Sequence, residues 1–250
     1  MARYYLEFTK QGLVKYTSHL DLLRLFKRAF KRSGVPLDYS KGFNPHPRMS
    51  FAQPLSLGYT SKEEFLEFHT YEPMEPDEIL RRMRSAMPMG LALIKCETLD
   101  INPKTLASIV TGARYEVVYP FGAEEFKEMV GDKLGRYLDE DVIIALKKQK
   151  KSKALVEQDI KPMIRNISLS SSANQGSLLM ELNCGSASNL SPELVIQTFN
   201  EYAGLPVKRY DMEVSREYLL FEPCIPHTLG LHLDYEKSGS KPDESQEDNW

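Results

Sequence analysis

Two adjacent segments decide the fold, ARYYLEFTK at residues 2–10 and SHLDLLRLFKRAFKRSG at residues 18–34. The first alternates and is rich in aromatic residues, which predicts a β-strand. In the second, Ser18 and Asp21 have the spacing of a capping box, with Asp in place of the usual Glu, and Gly34 is a helix stop signal. The sequence therefore predicts a strand followed by a helix that ends at about Ser33.

This helix has two distinct faces at 100° per residue. The apolar face contains Leu22, Leu23, Leu25, Phe26, Ala29 and Phe30. The opposite face carries a stripe of cations, Arg24, Lys27, Arg28 and Lys31. We expect the first face to pack on a sheet and the second to face solvent.

The elements that follow complete a βαββαβ order. They are strands at 49–53 and 64–71, a helix at 76–86 and a strand at 91–97. This order is that of a ferredoxin-like unit. The fold over residues 1–101 is therefore predicted to be one such unit, carrying the basic helix and the GFNPHPR loop.

The second half repeats the pattern after a connection at 102–111. Strands are predicted at 113–120, 142–148, 164–170, 178–183 and 212–221, and helices at 123–138 and from Ser191 to Gly204. The fold class is therefore α+β, with two ferredoxin-like units in tandem, the second over residues 112–222. Residues 223–250 form a C-terminal extension that is polar, acidic and expected to be largely disordered.

Charge is distributed unevenly along the 250 residues. The net charge is −3, but residues 1–60 carry ten Lys and Arg against three acidic residues, which leaves −10 for residues 61–250. A basic end on an acidic chain indicates a local contact with a polyanion. The stripe of Arg24, Lys27, Arg28 and Lys31 could bind phosphates, or it could be an ordinary solvated helix face.

The loop SKGFNPHPRMSF at residues 40–51 contains further candidate binding residues. Asn44 and His46 precede prolines, which favours extended backbone and a stiff loop. Phe43 and Phe51 could stack on bases, Lys41 and Arg48 could hold phosphates, and His46 could hydrogen-bond or transfer a proton. The alternative is a structural turn. For Phe43 and Phe51 we favour core positions, and for His46 and Arg48 we favour exposure.

Two histidines are candidate catalytic residues. His19 lies in the first helical turn, where the macrodipole lowers the pKa of an imidazole, although histidines there more often only pack. His19 and His46 together could act as general base and acid. No third metal ligand has suitable spacing, and there is no P-loop, GxGxxG or nucleophile elbow. We therefore predict no metal and no cofactor.

The cysteine pattern and the hydropathy of the chain indicate its cellular compartment. Cys96, Cys184 and Cys224 form no CxxC and no zinc spacing, which favours a reduced, cytoplasmic setting. No apolar run approaches the length of a membrane span.

A second lysine cluster could extend a phosphate-binding track, at Lys147, Lys148, Lys150, Lys151 and Lys153. No role is assigned to QDIKPMIRNI at residues 158–167.

Two motifs carry a family resemblance. The run from YTSHLDLL to KEEFLEF (residues 16–68) resembles the opening of a bacterial family of unknown function, the radical-SAM-linked proteins, and QDIKPMIRNI resembles that family's second motif. The domain occurs alone or fused behind a radical SAM protein, often encoded beside ribonuclease G and ribosomal protein genes. The resemblance implies a partner enzyme and an RNA setting but no established activity. Lacking the cluster-binding cysteines, this chain would be the stand-alone, non-catalytic half.

Three functions follow as hypotheses. The leading one is an RNA-binding accessory protein, rather than an enzyme, that works with a radical SAM enzyme in RNA modification or ribosome-related metabolism. Its partners would be tRNA or rRNA and a radical SAM protein, with no membrane and no evident DNA preference. The second is a metal-independent endoribonuclease, a reading supported by fold-level similarity to CRISPR-repeat endonucleases. The third is a protein-docking module.

Overall fold

A computed structural model of the chain describes residues 2–101, 104–149, 154–170, 174–223 and 230–234. Several sequence predictions fall outside these ranges. They concern Lys150, Lys151, Lys153, Cys224 and the acidic tail beyond Asp234.

The first half contains all the elements expected from the sequence. They are β1 (Ala2–Lys10), α1 (His19–Ser33), β2 (Met49–Phe51), β3 (Thr60–Thr70), α2 (Pro76–Arg84) and β4 (Leu91–Thr98). A 3-10 turn at Gly12–Tyr16 connects β1 to α1. The Ser18 hydroxyl accepts a hydrogen bond from the Asp21 N–H, and Gly34 ends α1 with a left-handed φ of 70°. The cap and the stop predicted for this helix are therefore confirmed.

The second half contains more elements than the sequence predicts. They are α3 (Leu106–Ile109), β5 (Val110–Gly122), α4 (Ala123–Val130), α5 (Lys133–Asp139), β6 (Ile144–Lys148), β7 (Leu155–Asp159), β8 (Ile164–Leu169), β9 (Gln175–Asn183), α6 (Pro192–Ala203) and β10 (Glu213–Phe221). The helix predicted at 123–138 is two helices, because Gly131 adopts φ 49°, ψ −129° at the end of α4.

Eight strands form one sheet with the order β4-β1-β3-β10-β5-β9-β8, and β2 pairs with β3 off this path. Neighbours are antiparallel except β3 and β10, which are parallel. The prediction of a mixed fold of helices and a mostly antiparallel sheet is confirmed. The strand predicted at 142–148 does not join the sheet, because β6 pairs with β7 in a separate hairpin.

The buried apolar residues form two cores. In the first half the buried face of α1, which includes Phe26 and Phe30, packs on Phe8 and Phe68 of the sheet. The larger core contains aromatic side chains of the second half, such as Phe126, together with first-half residues such as Phe65. The apolar face predicted for α1 is thus buried, and its cationic face is left at the surface.

The two halves of the sheet meet along a short ladder, in which only Ser215 with Thr60 and Arg216 with Ser61 are paired. Beside this ladder the Arg216 guanidinium donates to both carboxylate oxygens of Glu64, at 2.8 and 2.5 Å. It also donates to the backbone oxygens of Gln53 and Pro54. A buried ion pair therefore links β3 to β10.

Residues 230–234 return to the sheet. The Phe221 N–H donates to His232 O at 2.8 Å and the Asp234 N–H donates to Phe221 O at 2.7 Å. Leu233 packs against the core, and buried Asp234 pairs with Arg165 at 2.8 Å. The expectation of disorder is therefore wrong for Leu233 and Asp234, because long-range partners compensate the cost of ordering them.

None of the helices in the described residues is long and apolar enough to cross a membrane.

Candidate nucleic-acid interface

The cationic face of α1 is exposed and mostly unpartnered. Lys27, Arg28 and Lys31 are exposed and make no ion pair with another described residue. Arg24 differs, since its guanidinium lies 2.7 Å from the Asp21 carboxylate. Hydrogen bonds from the Ser18 hydroxyl and from Arg24 lower the pKa of Asp21. Three of the four predicted phosphate ligands on α1 are thus available to an external anion.

An open depression of about 460 Å³ runs along this helix. Three arginines one helical turn apart, Arg24, Arg28 and Arg32, line it together with Pro88 from the turn before β4. Arg32 was not among the sequence candidates. Its i+4 spacing from Arg28 and i+8 spacing from Arg24 was the signal that could have identified it.

Residues 38–48 form a hairpin that we call the finger. The Ser40 N–H donates to His46 O at 2.8 Å and the Arg48 N–H donates to Asp38 O at 2.9 Å. The Ser40 hydroxyl in turn accepts from the His46 N–H at 2.9 Å. At the tip, Gly42 has φ 137°, which side chains with a Cβ rarely adopt. The loop that the sequence predicts to be stiff is thus closed by its own hydrogen bonds.

The base of the finger is attached to the end of β3. The Asp38 N–H donates to His69 O at 2.8 Å, and the His69 N–H donates to Arg48 O at 2.9 Å. The Arg48 guanidinium pairs with the Asp38 carboxylate at 3.0 Å. Arg48 is half-exposed, and its charge is shared with an internal partner. Its main contact is therefore structural, which weakens the predicted role as a phosphate ligand.

The two phenylalanines of this region have opposite environments. Phe51 is 6% exposed and packs against Phe8 and Phe26, as expected of a core residue. Phe43 is 108% exposed at the finger tip, so the core position favoured for it is wrong. The tip extends beyond the last hydrogen-bonded pair of the finger, where no core surface is available to cover the ring.

His19 and His46 have different environments. The His19 ring packs edge-on against Phe51 at 5.4 Å between centroids, and burial lowers its pKa. His46 lies in the finger, five residues before Phe51. A general acid and base must each reach the reacting atoms within about 3 Å, and a joint acid–base role of this pair stays a prediction.

The stripe and the finger tip are near one another along the chain. Only four residues, Gly34 to Leu37, separate the end of α1 from the finger. They span at most about 14 Å when extended. Lys41 in the finger is exposed and has no ion pair with a described residue. We call the set of exposed residues Lys27, Arg28, Lys31, Lys41 and Phe43 the basic surface.

A buried polar cluster that no sequence motif indicates lies below α1. Lys10 is 1% exposed, and its ammonium donates to Lys15 O and Thr17 O at 3.3 and 3.2 Å. Burial lowers the pKa of Lys10. A cavity of about 10 Å³, room for one water, is lined by residues that include Lys10, His19 and Glu64. The two-residue period of a strand indicates that Lys10 is buried, because Lys10 follows Leu6 and Phe8 on the inward face of β1.

No three His, Cys, Asp or Glu side chains within the described ranges are grouped so that they could hold a metal ion.

Comparisons with known proteins place the chain in a bacterial context. Residues 3–192 match the profile of a family described as "Uncharacterized protein conserved in bacteria" (DUF2344). The expectation of a bacterial domain of unknown function is therefore confirmed, whereas the radical SAM link stays a prediction. No curated protein matches the chain.

The matches to solved structures are distant. An unknown protein from Galdieria sulphuraria is 10% identical, with a TM-score of 0.25, and the match covers 86% of this chain and 97% of that one. A protein provisionally assigned as a glycine cleavage system transcriptional repressor is also 10% identical, with a TM-score of 0.22 and coverage of 88% and 98%.

Proposed function

This chain belongs to the bacterial family DUF2344, and from that premise we propose that it is an RNA-binding accessory protein. One observation carries the proposal. A phenylalanine ring, Phe43, stands fully exposed on a braced finger, and the helix that ends four residues before this finger carries cations that have no ion pair among the described residues. Exposed aromatic rings beside cations are the usual platform for single-stranded bases and their phosphates.

The chemistry of the basic surface matches that of an RNA backbone with unpaired bases. Lys27, Arg28, Lys31 and Lys41 would contact phosphates, and Phe43 would stack on a base. His46, exposed in the same finger, would hydrogen-bond the stacked nucleotide. Arg24 and Arg48 are held by Asp21 and Asp38, so we assign them secondary roles.

We infer that the architecture is two ferredoxin-like units in tandem. Two strand orders support this. In the first half the order is β4-β1-β3-β2, and in the second it is β10-β5-β9-β8. Numbering the four sheet strands of each half from one to four, both orders are 4-1-3-2. In each half helices follow the first and third of these strands, the connectivity of βαββαβ units.

The partner enzyme in the proposal is a radical SAM protein acting in RNA modification or ribosome-related metabolism in the cytoplasm. This part rests on the resemblance of residues 16–68 and 158–167. The accessory protein would hold tRNA or rRNA while the partner performs the reaction.

Binding to RNA tests the proposal directly. We expect Lys27→Glu with Arg28→Glu to weaken binding of a labelled single-stranded RNA at least tenfold at 50 mM salt. Loss of two phosphate contacts should also reduce the slope of log K against log salt by about 1.4. Fluorescence polarisation between 50 and 200 mM salt measures both quantities.

The matched control reverses two cations elsewhere. Lys127→Glu with Arg136→Glu changes the net charge equally, at exposed positions of α4 and α5. This variant should bind RNA nearly as the parent does. Equal weakening by both variants, or none by either, would contradict a specific basic surface.

A protein-docking module is the second candidate, favoured by apolar exposure near the start of α1. Tyr16 and Leu57 are more than 60% exposed, and they flank the hydrogen bond from the Gly58 N–H to Lys15 O at 2.8 Å. Leu13 and Leu20 are also largely exposed. Exposed apolar groups of this kind are typical of partner surfaces. Recovery of a protein partner from RNase-treated lysate, lost in Leu20→Lys, would support this function.

A further inference from the structure

The hairpin of β6 and β7 exposes a patch of apolar side chains. Ile144 and Leu146 of β6 are 47% and 46% exposed, and Leu155 of β7 is 63% exposed. Val142, just before β6, is also largely exposed. Neighbouring apolar side chains on a surface strand are typical of a contact with another polypeptide.

The outer edge of β6 carries backbone groups that point away from the hairpin. The Ile160 N–H donates to Ile143 O at 2.8 Å, so this carbonyl points toward β7. Because bonded and non-bonded pairs alternate along an antiparallel ladder, Ile144, Leu146 and Lys148 direct their N–H and C=O groups away from β7. The sheet of β6 and β7 has only these two strands, so no other described strand pairs with this edge.

The charges along this edge make the segment complementary to itself. In residues 139–148, DEDVIIALKK, three acidic residues precede the apolar run and two lysines follow it. These five charged side chains are exposed, and none forms an ion pair with another described residue. An antiparallel copy reverses the order of the charges, so its lysines lie beside these acids and its acids beside these lysines.

We propose that β6 pairs antiparallel with β6 of a second copy of this chain, with Ile144 at the two-fold axis. The two hairpins then form one four-stranded sheet. Ile144 and Leu146, whose backbone groups point outward, lie at bonded positions in this register. The facing pairs are Leu146 with Val142, Lys147 with Asp141, and Lys148 with Glu140. The contact is isologous, so each of these pairs occurs twice.

Two other strand edges are less suited to such a contact. A copy paired antiparallel along β7 about its central residue would place Glu157 opposite itself, and like charges in that position are destabilising. The β4 edge is partly covered, because the Arg84 guanidinium donates to Leu93 O and Ile94 O at 2.9 Å. Charge and access therefore both favour β6.

The concentration dependence of the mass tests dimerisation without RNA. One pair of strands buries less than about 1,200 Å², which is typical of weak, reversible association. Sedimentation equilibrium at 50 mM salt should therefore show the mass rise from one chain toward two between about 10 and 500 µM. A mass of one chain over this whole range would overturn the proposal.

Charge reversal tests the partner and the register. Lys147→Glu with Lys148→Glu should abolish dimerisation, and so should Glu140→Lys with Asp141→Lys, because each change places like charges opposite one another. An equimolar mixture of the two variants should associate as the parent does, since opposite charges face again. This recovery also shows that both variants are folded.

The matched control reverses two cations far from β6 in the sequence. Lys27→Glu with Arg28→Glu changes the net charge equally on α1 and should dimerise as the parent does. Dimers that persist in both charge-reversed variants, or a mixture that stays monomeric, would overturn the pairing of β6 with β6.

A proline variant tests whether the strand edge itself makes the contact. Ile144→Pro removes an N–H that points away from β7, so no hydrogen bond within the hairpin is lost. Dimerisation should weaken at least tenfold, while far-UV circular dichroism stays that of the parent. Undiminished association of this variant would overturn edge pairing.

Discussion

Two groups of charged side chains in this protein differ in burial and in ion pairing. At the junction of the sheet halves, Arg216 is 1% exposed and gives its hydrogen bonds to Glu64, Gln53 and Pro54. On the basic surface, Lys27, Arg28 and Lys31 are solvated and make no ion pair with any described residue.

The difference follows from the cost of removing charge from water. A buried guanidinium without partners is destabilising by several kcal/mol, so the fold must supply a carboxylate and carbonyl oxygens. A solvated ammonium needs no partner, and a surface pair would add at most about 1 kcal/mol. Charges in the junction therefore maintain the structure, and charges on the basic surface are free for a ligand.

The junction should give the largest effect on stability. Arg216→Met leaves the Glu64 carboxylate buried without its partner, and we expect the free energy of unfolding to fall by about 3–5 kcal/mol. Urea denaturation measures this loss. The double variant Arg216→Met with Glu64→Gln should recover most of it, because no uncompensated charge remains. A loss below about 1 kcal/mol for the single variant would show that the pair is not a structural requirement.

A substitution at the finger tip should affect RNA binding and leave stability nearly unchanged. Phe43→Ala removes a fully exposed ring, so stability should change by less than about 0.5 kcal/mol. Affinity for single-stranded RNA should fall by about 1–3 kcal/mol, or roughly 5- to 150-fold, through loss of stacking. Phe51→Ala is the comparison, since its buried ring should cost about 3–5 kcal/mol of stability. Unchanged RNA affinity in Phe43→Ala would remove the aromatic platform from the proposal.

The smallest effect is expected for a half-buried pair between these extremes. His232 stacks on Tyr218 and lies 3.0 Å from the Glu63 carboxylate, which raises the pKa of His232 by hydrogen bonding. A raised folded-state pKa stabilises the protein below the unfolded value of about 6.5, and this contribution is lost as pH rises through the folded pKa.

Because His232 is half-exposed, we expect less than about 1 kcal/mol from this pair. The measurement is urea denaturation of the parent and His232→Gln from pH 5.5 to 8. The difference in the free energy of unfolding should shrink with rising pH. His19, whose pKa burial lowers, contributes in the opposite direction, so His19→Gln is the control. A difference that grows with pH would contradict the assigned Glu63 contact.

Local signals predicted α1 well and the finger only in part. The cap at Ser18, the stop at Gly34 and the apolar face all act within a few residues, and the structure has each of them. The sequence favours a structural turn with Phe43 in the core. Its exposure depends on hydrogen bonds that close the finger, such as that between Ser40 and His46, and pairing of this kind is not visible in residue type.

In the second half, too, local signals predict an element but not its long-range partner. The strand at 142–148 exists, but its partner is β7 and not the sheet. Strand propensity identifies a segment that can pair and leaves open what it pairs with. The break at Gly131 likewise depends on a backbone conformation that a helical pattern of apolar residues does not reveal.

The sequence by itself determined the basic helix, its two faces and the separation of charge between the first 60 residues and the rest, because these depend on residue type and short spacing. Only the tertiary structure decided which charges have partners. Glu64 and Arg216 are 152 residues apart in the chain and meet only when the two halves join one sheet. Long-range contacts of this kind set the burial of each charge, and burial decides whether a charge must be neutralised within the fold or stays available at the surface.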